Sequence, residues 1–145
     1  MRSVFATIQA YGCYWIGIVY HYWGNAYGAV RAYQKAVLWY QRALALDASL
    51  TQARLDRGIL YWRELDDPRA AISDFNYLLA QDAENEAARF NRAVAYQQLG
   101  DHKDASADFQ AYLSIGQHPH RQEYAETMLM ELGDGKEGDD HQHQP

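Results

Sequence analysis

Few side chains in this sequence are spaced for chemistry. Two histidine pairs stand with one residue between them, His118-Pro119-His120 and His141-Gln142-His143. Paired imidazoles can bind a metal ion, but neither pair has further firm ligands nearby. Both lie in a linker or tail and read as solvated segments, so no metal site is expected. Asp101, Asp104 and Asp108 follow helical spacing close to a helix start, where carboxylates complement the helix dipole. They read as a solvated face. The single Cys13 has no partner for an internal disulfide and reads as a small buried hydrophobe. Phosphate-binding glycine loops, nucleophile elbows and zinc-spaced cysteine clusters are all missing. No catalytic residue and no cofactor is expected, and the chain is not read as an enzyme.

The bulk numbers narrow the field further. A chain of 145 residues, 48% apolar, supports one domain with a substantial core. A net charge of −6 argues against general nucleic-acid binding, which needs a basic surface. The charge is uneven: residues 1–50 carry a net +3, residues 51–117 a net −4 and residues 118–145 a net −5. Eleven of the 20 aromatic residues lie in the first 40, so the two ends call for different neighbours.

The elements that position these residues are helices, arranged as a repeat. Tyr20-x2-Trp23-Gly24-x2-Tyr27 is followed by Ala36-x3-Tyr40-x2-Ala43. Arg54-x2-Arg57-Gly58-x2-Tyr61 precedes Ala71-x3-Phe75-x2-Leu78, and Arg89-x2-Arg92-Ala93-x2-Tyr96 precedes Ala105-x3-Phe109-x2-Tyr112. Tyr27, Tyr61 and Tyr96 are spaced by 34 and 35 residues. Leu55, Ile59 and Trp62 follow i, i+4, i+7 spacing, as an amphipathic helix requires. Asp66-Asp67-Pro68 and Leu99-Gly100-Asp101 break the helices within hairpins, and Asp47-Ala48-Ser49 and Asp82-Ala83-Glu84-Asn85 separate one hairpin from the next. The first hairpin lacks such a turn: Val30-Arg31-Ala32 stands there, so it is expected to be irregular or to have helices that run partly together. The small residues Gly24, Gly58 and Ala93 mark close helix crossings, with Ala36, Ala71 and Ala105 opposite.

These residues resemble tetratricopeptide repeats over roughly residues 17–117. The resemblance implies an all-α fold, an α-solenoid of three hairpins. The expected organisation is an N-terminal apolar helix over 1–16, repeats over 17–50, 51–85 and 86–117, a capping helix over 118–132, and a disordered acidic, His-rich tail over 133–145. In this family the first helices of successive hairpins line a concave groove. Register then forms columns of His21, Leu55 and Phe90; of Asn25, Ile59 and Val94; and of Gly28, Trp62 and Gln97, flanked by Ile18, Gln52, Arg63 and Gln98. Family members that grip a C-terminal carboxylate place Lys, Arg and Asn along such columns, and here only Asn25 and His21 fit. The expected function is a cytoplasmic adaptor or scaffold whose groove holds an apolar peptide or helix of a protein partner. Asp or Ser at Leu55, Ile59 and Trp62 is expected to abolish capture without unfolding the array. The competing reading has these residues covered by the chain's own Val4–Ile16 segment.

The segment from Ser3 to Val30 contains no Asp, Glu, Lys or Arg. Its first reading is a packed helix leading into the first repeat. The alternatives are a membrane-spanning or interfacial helix, and a sticky face that docks on a partner through Phe5, Tyr11, Tyr14, Trp15 and Ile18. On either alternative the chain is a membrane-associated or structural subunit of a larger assembly, docked on a membrane protein or surface. Self-association through an apolar solenoid end is the remaining option.

Overall fold

The computed structural model describes residues 4–134. Seven helices follow in order: α1 (Val4–Tyr27), α2 (Val30–Leu46), α3 (Thr51–Glu64), α4 (Pro68–Gln81), α5 (Glu86–Leu99), α6 (His102–Ile115) and α7 (Pro119–Asp134). No strand occurs among the described residues. α1/α2, α3/α4 and α5/α6 pack as hairpins, α2 meets α3, α4 meets α5, and α7 closes the array on α6. The fold is an all-α solenoid of three hairpins with a capping helix.

The breaks are set by local chemistry. Asp67 caps α4 by accepting from the Ala70 N–H at 3.0 Å, with Pro68 in the first turn, where its missing N–H costs nothing. Asn85 caps α5 through the Ala88 N–H at 2.9 Å. Gly100 ends α5 at φ 82°, a left-handed conformation that glycine adopts without a Cβ penalty. Between hairpins, Asp47 accepts from the Ser49 N–H and hydroxyl, and Asp82 from the Glu84 N–H. These Asx turns satisfy backbone donors as the chain reverses.

Within each hairpin a ring fills the space a small residue leaves. A Cβ on Gly58 would lie 2.6 Å from Phe75, which is wholly buried. The repeat pattern pairs Gly24 with Tyr40 in the same way, but the first hairpin packs differently. Gly24 meets Tyr33, and Gly17 meets Tyr40, each with a would-be Cβ about 2.5 Å from the ring. α1 is therefore slid along α2 by seven residues relative to the repeat register. Seven residues are nearly two turns, so the slide leaves the same side of α1 facing inward. The turn falls at Gly28-Ala29, with Gly28 at φ 60°, and Val30-Arg31-Ala32 opens α2 instead of forming the loop.

Two sequence boundaries move. The expected division at residues 16 and 17 lies inside α1, because no breaker stands there and Gly17 is held by the Tyr40 ring. The N-terminal apolar segment and the first helix of the first hairpin are one helix. Gly133 and Asp134 close α7, while the rest of the expected tail, including His141 and His143, lies outside the described residues.

Asp108 is not part of a solvated face. It is buried, and Arg92 grips it at 2.6 and 2.8 Å while Arg89 approaches to 3.4 Å. One repeat earlier, buried Asp74 is gripped by Arg57 at 2.5 and 2.8 Å, with Arg54 at 3.4 Å. Two-point arginine–carboxylate pairs of this kind are directional and stronger than neutral hydrogen bonds. They tie the first helix of each hairpin to the second. In the first hairpin Trp39 stands at the matching position, three residues after Ala36, and α1 carries no arginine to pair across the hairpin.

Candidate functional site

The groove side of the array is built by α1, α3 and α5, with α7 beside α5. The slide of α1 changes which residues share a column. Tyr14, not His21, is the neighbour of Leu55: its hydroxyl donates to Asp56 Oδ2 at 2.9 Å. His21 is the neighbour of Trp62, with its Nε2 3.4 Å from Arg63 Nη2 and its Nδ1 3.4 Å from the Tyr40 hydroxyl. Asn25 lies beyond them, exposed, and accepts from the Tyr33 hydroxyl at 3.1 Å.

Leu55, Ile59 and Trp62 are half-buried against the core formed by Phe75, Leu78 and Ala88. Asp in place of Leu55 or Ile59 would therefore strike the core as well as the groove, contrary to the sequence expectation for that variant. The Trp62 indole N–H donates to Asn91 Oδ1 at 3.2 Å, and Asn91 in turn donates to the Ala87 carbonyl. Phe90 and Gln97 are covered, but by α7 and not by Val4–Ile16. Tyr124 packs on Phe90 with ring centres 5.6 Å apart and donates to Gln97 Oε1 at 3.2 Å. Gln97 also donates to the Met128 sulfur. The α1 segment instead buries Ala10 and packs Cys13 and Tyr14 on Tyr40, Ala43 and Leu44.

What stays open is a cleft of about 330 Å³ lined by Trp62, Arg63, Val94, Gln97 and Gln98. Its floor is the Trp62 ring and the Val94 methyls; its rim is amide and guanidinium. Gln98 is held by Asp66 at 2.8 Å and Arg63 by Glu64 at 2.7 Å, so the rim groups are oriented before any ligand arrives. Such a lining offers apolar contact with a few hydrogen-bonding groups and has no nucleophile or base. No group of three or more His, Cys, Asp or Glu among the described residues is placed to hold a metal ion. Among the residues expected to dock a partner, Phe5, Tyr11 and Trp15 are exposed on α1, whereas Tyr14 and Ile18 turn inward against the core. No helix among the described residues is long and apolar enough to cross a membrane.

Next to the cleft, burial and the Arg63 charge push the His21 imidazole below its ordinary value, with Asp56 and Glu64 opposing. Burial raises the Asp56 carboxyl, with bonds from Tyr14 and Gln52 opposing. The unfolded chain therefore binds the His21 proton more readily than the folded one. The His21 contribution to stability is fully present above the ordinary imidazole value of about 6.5, and it is lost as pH falls through the depressed folded value. We expect proton NMR to show His21 titrating below the ordinary imidazole value of about 6.5. His21→Gln should flatten the acid limb of urea stability measured between about pH 7 and pH 5.

A family model described as tetratricopeptide repeat matches residues 87–117, the third hairpin. Solved tetratricopeptide domains superpose on nearly the whole chain. The Arabidopsis OM64 TPR domain does so with a TM-score of 0.73 at 22% identity, covering 88% of this chain and 96% of that one. Residues 87–117 match as a tetratricopeptide repeat, and the described chain as a whole has the tetratricopeptide-domain fold. Two further tetratricopeptide domains of the same fold were solved with peptides bound. The first TPR of Spaghetti (RPAP3), bound to the HSP90 peptide SRMEEVD, has a TM-score of 0.67 at 21% identity, covering 84% of this chain and 94% of that one. The second TPR domain of human RPAP3, in complex with the HSP70 peptide SGPTIEEVD, has a TM-score of 0.64 at 21% identity, covering 83% and 98%. No curated protein sequence matches this chain significantly. At these identities the structures establish the fold and not the ligand.

Proposed function

We propose that this tetratricopeptide array is a protein-interaction adaptor that holds an apolar peptide or short helix in the groove between α3 and α5. The observation that carries the reading is the cleft of Trp62 and Val94, with its rim of Arg63, Gln97 and Gln98 already oriented. Pre-positioned groups lose little entropy on binding, so a small contact surface suffices for useful affinity. Similar domains bind chaperone peptides that end in EEVD. This chain is expected to take a different ligand, because Leu55, Ile59, Phe90 and Val94 occupy columns where a carboxylate grip needs cations and amides, and Asn25 is engaged by Tyr33.

Two titrations test this. The peptide SRMEEVD should show no saturable binding up to about millimolar concentration in calorimetry. Peptides selected on the immobilised protein from a random library should be rich in apolar side chains and lose most of their affinity for the variant Arg63→Ala/Val94→Ser/Gln98→Ala. Equal binding by a variant with unchanged thermal unfolding would sink the groove assignment.

A second reading, a subunit of a membrane-bound assembly docked through its first hairpin, is favoured by one observation. The outward side of α1 is aromatic and uncovered, with Trp15 62% and Tyr22 75% exposed.

A further inference from the structure

We propose that the first hairpin lies on an anionic lipid surface, with α1 parallel to the bilayer plane and its outward aromatic face in the headgroup region. This deepens the reading of the first hairpin as the docking element and is independent of the groove.

Tyr11, Trp15, Val19, Tyr22, Trp23 and Tyr27 are each at least half exposed. At 100° per residue they fall within about 160° of the helix circumference, on the side away from Ala10, Gly17 and Gly24, which are buried. Gly12 lies on this same side and a Cβ there would meet nothing within 4 Å. A soluble helix of this length ordinarily presents charges on its outer face. α1 presents none over 24 residues. From Tyr11 to Tyr27 the face is an open aromatic strip about 24 Å long, at 1.5 Å per residue.

The surrounding charge identifies the occupant. Between Val4 and Leu46 the charged residues are Arg31, Lys35 and Arg42, all basic and all exposed. Arg31 and Lys35 border a shallow recess with Tyr20 and Trp23, and the Lys35 ammonium sits 5.3 Å from the Tyr20 ring centre. Where the later hairpins place Asp74 and Asp108, the first has Trp39, with the Arg42 guanidinium 4.6 Å from its ring centre. Tyrosine and tryptophan favour the membrane–water interface, and exposed lysine and arginine add attraction to anionic headgroups. A helix that is aromatic on one side, flanked by bases and too polar to span lies on a membrane rather than across it. The other candidate surfaces match less well. A second copy docking through the same face would bring two basic rims together, and the outward side of α7 carries Glu123 and Glu126, which cannot cover an aromatic strip. The groove side of α1, with Tyr14 and His21, lies about 140–160° around the helix from the middle of this strip, so lipid docking leaves the cleft open to water.

Vesicle co-sedimentation of the full chain tests this, with phosphatidylcholine vesicles compared to vesicles that also contain phosphatidylglycerol. The expected result is sedimentation with the anionic vesicles, weakened by salt, together with a blue shift of tryptophan emission. Trp15→Ser/Tyr22→Ser/Trp23→Ser should abolish it while leaving the circular dichroism spectrum intact, since these side chains are exposed. Arg31→Glu/Lys35→Glu should weaken it by about tenfold or more. A chain that stays in the supernatant with both vesicle types overturns the proposal. So does a triple variant that sediments like the parent. If vesicles fail but the same substitutions dissolve a dimer seen by analytical ultracentrifugation, the face joins two copies and the lipid assignment is wrong. If vesicles fail but stoichiometric capture of an integral membrane protein depends on Trp15 and Trp23, the lipid assignment falls while docking through the first hairpin stands.

Discussion

Phe75→Ala should cost about 3–5 kcal/mol, enough to unfold much of the array at room temperature. The ring is wholly buried, sits in the step left by Gly58 and joins the core shared by α3, α4 and α5. Its removal leaves a cavity that neighbouring helices cannot close without losing their own contacts. The damage extends beyond one hairpin, because a solenoid is held by nearest-neighbour interfaces and the second hairpin lies between the other two. Gly58→Ala acts on the same contact from the other side. Its Cβ would sit 2.6 Å from Phe75, and displacing the ring should cost about 1–3 kcal/mol. The two sites touch, so Gly58→Ala/Phe75→Leu should cost less than the sum of its parts. Urea unfolding followed by circular dichroism measures these variants and Phe75→Leu alone. Strict additivity would mean that the ring and the glycine are not coupled as the packing requires.

Asp108→Ala should cost about 2–3 kcal/mol, somewhat less than a fully buried pair, because the arginine side chains keep up to a fifth of their surface in water. The loss removes the buried counter-charge of both arginines and leaves Arg92 with the Asn76 side-chain carbonyl and Arg89 with the Ala83 carbonyl as remaining partners. Asp74→Ala should behave alike through Arg57 and Arg54. The diagnostic experiment is the double replacement Arg92→Met/Asp108→Leu. It removes both members of the two-point pair, leaves Arg89 on the Ala83 carbonyl, and should recover much of the loss. If the double variant is less stable than Asp108→Ala alone, the arginine contributes through packing and the ion-pair account of the seam fails.

The sequence made much of this fold legible because its signals are local and repeated. Gly58 opposite Phe75, the capping Asp67 and Asn85, and the left-handed Gly100 each act within a few residues of the chain or recur at the repeat spacing. The slide of the first hairpin was hidden for a physical reason. Gly17 and Gly24 are seven residues apart, as are Tyr33 and Tyr40, so two registers present nearly the same face and fill the same steps. What separates them is the turn. Gly28 can reverse the chain, while Val30-Arg31-Ala32 has no turn former and opens α2. That choice moves Tyr14 into the column of Leu55 and His21 into that of Trp62, and it turns Tyr14 and Ile18 away from the outer face.

The ionic seam was hidden by frame. Asp108 was grouped with Asp101 and Asp104 along one helix. Its true counterpart is Asp74, 34 residues earlier, and each follows a repeated Arg-x2-Arg pair by one helix. The cover over Phe90 and Gln97 depends on where α7 lands, a long-range contact that helical periodicity does not specify.

The groove assignment is tested most directly by mapping a selected apolar peptide onto the folded chain by NMR. The Trp62 indole N–H and the Arg63, Val94 and Gln98 amides should shift in a saturable, concentration-dependent way, while the outward α1 residues Trp15 and Tyr22 stay unchanged. Shifts confined to α1, or a peptide that binds Arg63→Ala/Val94→Ser/Gln98→Ala as tightly as the parent, would contradict an adaptor that works through the cleft between α3 and α5.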